Sequence, residues 1–168
     1  MILVFPVSAV DVGMALDLVG WMAHLGPYPQ HKALLVFAPE VERSQCDTLR
    51  AAFEGMGFSC VLAATPDLRP EETGWPNGAN AMFRRTSFII EGDPRYRAPW
   101  YFFEPDNTPL CRGWLDQIAA GYASDNSRPF MGVLEQSWRE AVAVGCNTRM
   151  RIPAGKHLVG TAVYPAFL

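Results

Sequence analysis

Residues 2–8 read Ile2-Leu3-Val4-Phe5-Pro6-Val7-Ser8, a short, unbroken apolar run rich in β-branched side chains. A strand covered on both faces has this composition, whereas a strand wet on one face alternates apolar with polar. The run therefore predicts a buried strand that opens a sheet. Beyond it, Asp11 stands where a helix cap would, and Met14, Leu18, Trp21, Met22 and Leu25 recur at helical spacing until Gly26-Pro27 breaks the pattern. A second apolar run covers 33–38. A helix with Leu49, Ala52, Phe53 and Met56 on its inner face then ends at Gly55 and Gly57, and a third run follows at 58–64. The order βαβαβ implies a mostly parallel sheet with helices on both sides, and in such open sheets ligands lie beyond the carboxyl ends of the strands.

Farther along, Trp75-Pro76-Asn77-Gly78-Ala79-Asn80-Ala81-Met82-Phe83-Arg84-Arg85 reads as a loop entering a helix, with Asn77 as cap and Ala79, Met82 and Phe83 packing inward. Trp100-Tyr101-Phe102-Phe103 is a dense aromatic strand that runs straight into Glu104-Pro105-Asp106-Asn107. Trp114, Leu115, Ile118, Ala119 and Tyr122 predict an amphipathic helix. A fifth strand is expected at 129–134, an irregular excursion at 135–156 and a last strand at 158–164, just after Lys156-His157.

A length of 168 residues and an apolar share of 49% suit one domain with a real core, so the expectation is a single domain over 1–168. With 17 acidic against 14 basic residues, no global field draws the chain to nucleic acid or an anionic membrane. A nucleic-acid acceptor would have to meet a local rim made from Arg84, Arg85, Arg95, Arg97, Arg149, Arg151 and Lys156. The apolar start stops at Pro6 without a basic lead-in, too short for a signal peptide or a bilayer span, which predicts a cytoplasmic protein with no membrane partner. Cys46, Cys60, Cys111 and Cys146 form no Cys-x-x-Cys pair and are expected to be free, mostly buried thiols. Trp138 and Phe167 are the aromatics expected at any homo-oligomer interface.

Carboxylates two apart on a strand point to opposite faces, but Pro105 falls between Glu104 and Asp106 where the strand is ending, and a bend there brings both to one ligand. Their hard oxygens suit Mg²⁺ or Mn²⁺, which use one or two protein carboxylates and take their other ligands from phosphate and water. Pro-Asp-Asn is also turn chemistry in its own right.

The stretch 100–114, WYFFEPDNTPLCRGW, resembles the metal-binding strand and following helix of glycosyltransferases with the GT-A fold, whose aspartate-x-aspartate motif maps onto Glu104-Pro105-Asp106 with Glu in the first place. ILVFPVS is similar to the first strand of that fold, WPNGANAMFRR to the helix that approaches the donor sugar and phosphates, and KHLVGTAVYP to its late strand near the reaction centre. The resemblance implies a three-layer α/β/α sandwich around a Rossmann-like, GT-A-type sheet. It also implies a metal-dependent glycosyltransferase that takes a nucleotide-sugar donor. Pro6, Val7 and Ser8 would meet the nucleotide base, Asp11 the base or ribose, Asn80 the ribose or sugar, and Arg84 or Arg85 the phosphates, although capping and turn duties account equally for Asp11 and Asn80. Glu104, Asp106 and His157 would hold Mn²⁺ or Mg²⁺, with Asp106 serving the departing diphosphate and Glu135 as the candidate acceptor-side base. The chain ends sooner after the late strand than that fold usually does, which implies either a minimal version of the fold or an acceptor side that a partner or second copy would complete. The competing readings are a nucleotidyltransferase, which normally shows a Gly-rich phosphate loop that Val7–Asp11 lacks, and a binding module of the same fold without turnover.

Overall fold

The computed structural model describes residues 1–74, 77–124, 130–142 and 149–166, with side chains placed outside 133–142 and 149–160. The elements are β1 (Ile2–Val7), α1 (Val12–Leu25), β2 (Lys32–Phe37), α2 (Arg43–Gly55), β3 (Cys60–Ala64), α3 (Asn77–Gly92), β4 (Trp100–Phe102), α4 (Trp114–Ser124), β5 (Met131–Val142) and β6 (Arg149–Tyr164). They build one six-stranded sheet in the order β3-β2-β1-β4-β6-β5. The pairs β3–β2, β2–β1 and β1–β4 are parallel, while β6 runs antiparallel to both β4 and β5, so the sheet is mostly parallel in direction.

Alternation along β4 sorts the layers. Trp100 and Phe102 face α3, where Phe83 meets their rings at 5.5 and 5.3 Å. Tyr101 and Phe103 face the other way, onto Trp114 of α4. Phe5 of β1 lies on that second side, against Phe103 and against Phe53 of α2, and α1 packs beside α2. Helices therefore flank the sheet on both faces. The core runs through β1, β2 and β4, whose apolar runs the sequence shows to be continuous because both faces are covered.

Pro6 explains where the sheet opens. The Val4 carbonyl accepts from the Phe103 N–H at 2.9 Å, so Pro6, two residues on, turns its main chain to the same neighbour. By then β4 has ended, and a residue with no N–H leaves no broken ladder bond. Because β1, β2 and β3 proceed to one side of the sheet and β4 lies on the other, the gap past Pro6 falls at the point where the strand order reverses.

Several expectations are corrected. The described residues within 135–156 are not an irregular excursion: β5 and β6 run on as an antiparallel ribbon as far as the pair Val142–Arg149, with register shifts at 132/134 and 137/138. Antiparallel alternation there is carried by mixed polar and apolar residues, which hides the strand period from an apolar-run reading. Met14 and Trp21 are not core; they are 45% and 44% exposed, and Val12, Ala15 and Val19 join Leu18, Met22 and Leu25 on the buried side. Ala79 is half-buried, and Ala81, Met82, Thr86 and Ile90 form the inner face of α3. Asn77 is the first helical residue rather than a cap before it. Cys111 is exposed and Cys46 and Cys60 half-buried, while Cys146 and Phe167 lie outside the described residues and Trp138 is placed only by its register opposite Pro153.

Candidate functional site

Past the carboxyl ends of β1, β2 and β4 lies a cleft of about 380 Å³. Pro6, Val7 and Ser8 bring the end of β1 to it, Ala38 and Glu40 the turn after β2, and Phe102, Glu104, Pro105 and Asp106 the end of β4. Thr73, Gly74, Gly78 and Ala79 bring the approach to α3, whose sixteen residues begin at Asn77. Gly74 sits at φ +71°, a left-handed conformation that a side chain disfavours. Val10, Met14, Leu68 and Met82 supply the apolar wall.

The acid pair is held by a turn. The Asn107 N–H donates to the Glu104 carbonyl at 3.1 Å, with Pro105 at the position where its fixed φ suits a turn. Turn chemistry and a shared cleft are therefore compatible in Glu104-Pro105-Asp106, since it is the turn that brings both carboxylates to the cleft. The Asn107 side-chain amide donates to Asp106 Oδ1 at 2.9 Å and to Thr161 Oγ1 at 2.8 Å, and the Thr161 hydroxyl donates to Glu104 Oε2 at 3.3 Å. Burial, then the Asp106 and Asp11 charges, push the Glu104 carboxyl above its ordinary value, against the Thr161 bond, which pulls it down. Asp11 stands at the N-terminal cap position of α1, but its side chain makes no cap bond and accepts instead from Ser8 Oγ at 2.5 Å.

The charge of the lining is one-sided. Asp11, Glu40, Glu104 and Asp106 all line it, and among the described residues no Lys, Arg or His does. The sequence-expected residues therefore divide. Pro6, Val7, Ser8, Asp11, Glu104 and Asp106 meet in the cleft. Asn80 and Arg84 do not line it. Arg84 instead binds Glu72 Oε1 at 3.0 Å, while Arg85 binds Glu72 Oε2 at 3.2 Å and Arg69 shares the same carboxylate. Arg95 is likewise paired, with Asp93, so three residues of the expected basic rim, Arg84, Arg85 and Arg95, have carboxylate partners within the chain. Glu135 and His157 are known by register alone: they are partners on one rung of the β5–β6 ribbon.

A divalent cation fits the donor set. Two hard carboxylates line the cleft from one hydrogen-bonded turn, and a cation between them would relieve the like-charge repulsion that adds to the burial of Glu104. Among the described residues no three His, Cys, Asp or Glu side chains group as a full protein cage requires. Water and phosphate oxygens would complete such an ion, as is usual for Mg²⁺. Sequence reasoning missed Glu40, Asn107 and Thr161. Glu40 follows the second apolar run at a strand's carboxyl end, which is the signal that was there to be used; Thr161 becomes visible only once β6 is paired with β4.

The strand order, with its crevice at the reversal point, defines an open, doubly wound α/β protein of the GT-A and Rossmann-like type. The same fold is found in the apo form of the glycosyltransferase GlyE from Streptococcus pneumoniae TIGR4, at a TM-score of 0.51 and 11% identity over 98% of this chain. It is found also in 4-diphosphocytidyl-2C-methyl-D-erythritol synthase, at a TM-score of 0.51 and 9% identity over 98% of this chain and 74% of that one. The chain spans 33% of the length of the glycosyltransferase. No protein-family profile matches the sequence, and no curated protein does. Among the described residues no helix is long and apolar enough to cross a membrane.

Proposed function

We propose that this chain is a metal-dependent glycosyltransferase domain that takes a nucleotide-sugar donor. The observation that carries the reading is the four-carboxylate lining at the switch point, to which no described cationic side chain contributes. A diphosphate entering a cleft lined by Asp11, Glu40, Glu104 and Asp106 would need positive charge to come with it, because like charges repel, by roughly 4 kcal/mol per pair at 4 Å and the effective dielectric of a protein surface. Mn²⁺ or Mg²⁺ held by Glu104 and Asp106 would supply that charge and neutralise what develops on the departing nucleoside diphosphate. Pro6, Val7 and Ser8 would border the base and Asp11 would accept from base or ribose. The start of α3 borders the cleft at Gly78 and Ala79, where the positive end of the helix dipole would favour a phosphate, although the Gly78 N–H is already bonded to the Gly74 carbonyl. Asn80 and Arg84 stay proposed for the donor only at the outer margin, Arg84 having to leave Glu72 first.

Glu135 as acceptor-side base and His157 as third metal ligand would come from a single rung of the ribbon. That rung lies five residues along β6 from Ala162, roughly 16 Å at strand rise, so both roles require the ribbon to bend over the cleft. The register shift between Gly132 and Leu134 is a place where it can.

The test is calorimetric titration of nucleoside diphosphates and nucleotide sugars with Mn²⁺, and then with EDTA, into the wild type and Asp106→Ala. Metal-dependent binding of one diphosphate class, lost in the variant, supports the reading and names the base. Binding that survives EDTA and the variant would remove it. The second reading, a nucleotidyltransferase, rests on the fold shared with the 4-diphosphocytidyl-2C-methyl-D-erythritol synthase over nearly the whole of this chain. Pyrophosphate released from a nucleoside triphosphate, in place of nucleoside diphosphate released from a nucleotide sugar, would decide for it. Retained binding without either product would leave a binding module.

A further inference from the structure

The hydrogen bonds around the acid turn say which carboxylate oxygens are left for a ligand. Asn107 occupies Asp106 Oδ1, and Thr161 occupies Glu104 Oε2, so each acid keeps one oxygen engaged and one free of these bonds. The two holders are themselves joined, Asn107 Nδ2 to Thr161 Oγ1, across a sequence separation of 54. Thr161 is rigid for this purpose: it is β-branched, half-buried, and next to Ala162, which pairs with Phe102 at the end of β4. The turn is closed by the Asn107 backbone N–H on the Glu104 carbonyl at 3.1 Å, and the side-chain amide adds only a longer bond to that carbonyl, at 3.3 Å.

We infer that Asn107 and Thr161 are positioning residues that limit Glu104 and Asp106 to one available oxygen each, and so tune the site to a small octahedral cation against Ca²⁺. The inference rests on the metal-dependent reading above. Ca²⁺ takes six to eight oxygens and commonly uses carboxylates in bidentate fashion, whereas Mg²⁺ demands near-ideal octahedral geometry with single oxygens and water. A carboxylate whose second oxygen is tied to a fixed donor offers the second arrangement and resists the first. Groups that hold a metal's ligands in place typically change metal affinity about 10- to 100-fold when removed.

The experiment measures Mn²⁺ alone, then Ca²⁺ as competitor, by calorimetry on the wild type, Thr161→Val, Thr161→Ser and Asn107→Ala, with a thermal melt of each. Thr161→Val keeps the shape and loses the hydroxyl, so Mn²⁺ binding is expected to weaken about 10-fold or more while Ca²⁺ weakens less or gains, narrowing the preference. Thr161→Ser restores the donor and is expected to restore the preference. Asn107→Ala, which keeps the backbone turn bond, should reproduce the Val result and covers the case of a poorly folded Val variant. A wild type that binds Mn²⁺ through Asp106 while both variants keep its Mn²⁺/Ca²⁺ preference overturns this assignment alone. A wild type with no Asp106-dependent Mn²⁺ binding overturns the proposed function, and this assignment with it.

Discussion

Trp21 donates its indole N–H to the Pro109 carbonyl at 2.7 Å, tying the outer side of α1 to the loop that carries Glu104 and Asp106. That contact accounts for an aromatic ring left 44% exposed on a helix. The loop is then fixed at two points, by Trp21 at Pro109 and by Thr161 at Asn107. Trp21→Phe keeps a ring of similar placement and removes the donor. The expected loss of stability is about 0.5–1.5 kcal/mol, at the lower end because water can reach the freed carbonyl. Mn²⁺-dependent diphosphate binding should weaken as well, since the acid turn loses an anchor. Urea unfolding and calorimetry check the two effects, and an unchanged affinity would show that Asn107 and Thr161 hold the turn unaided.

Glu72 sets a pH dependence of stability away from the cleft. Hydrogen bonds from the Arg69 side chain and backbone, with Arg85 adding to them, hold its carboxyl down to about 2. A carboxyl lowered by folding stabilises the native state fully above its unfolded value, near about 4.3, and that contribution is lost as pH falls towards 2. Melting temperatures of the wild type should therefore drop across that window more steeply than those of Glu72→Gln. At neutral pH the Gln variant should melt lower, because three guanidinium groups lose their common anion. Parallel melting curves for the two proteins between about pH 5 and pH 2 would contradict the assignment.

These two sites show what the sequence could and could not disclose. The buried strands were legible because a parallel strand covered on both faces writes itself as an unbroken apolar run, as Ile2–Val7 does. The acid turn was legible too, since a proline between two carboxylates at the end of an aromatic strand stops the strand and breaks the alternation that would otherwise send the acids to opposite faces. Trp21 misled because helical spacing records which residues share a face, not whether a distant loop takes one of them as a partner. The partner of Arg84 was not legible either: a guanidinium suits phosphate and carboxylate alike, and only the folded chain shows Glu72 at 3.0 Å. The long ribbon was hidden for the opposite reason, as its rungs mix polar with apolar residues, among them Arg139 with Ile152 and Val142 with Arg149.

Asp106 is expected to lower stability where it serves function. It stands beside Glu104, whose carboxyl is already raised by burial and then by the Asp106 charge itself. Asp106→Asn keeps the size and the oxygen that accepts from Asn107 while removing that charge. Without metal the variant should be more stable than the wild type by on the order of 0.5 kcal/mol, a small figure because Asp106 is exposed and solvent screens the pair. With Mn²⁺ the order should reverse, because an ion that binds only the native state stabilises it by mass action and the variant has lost a ligand. Thermal melts of both proteins with and without Mn²⁺ decide it. A variant less stable than the wild type in EDTA would mean that Asp106 is chiefly a structural member of the turn, and would count against its place at a metal.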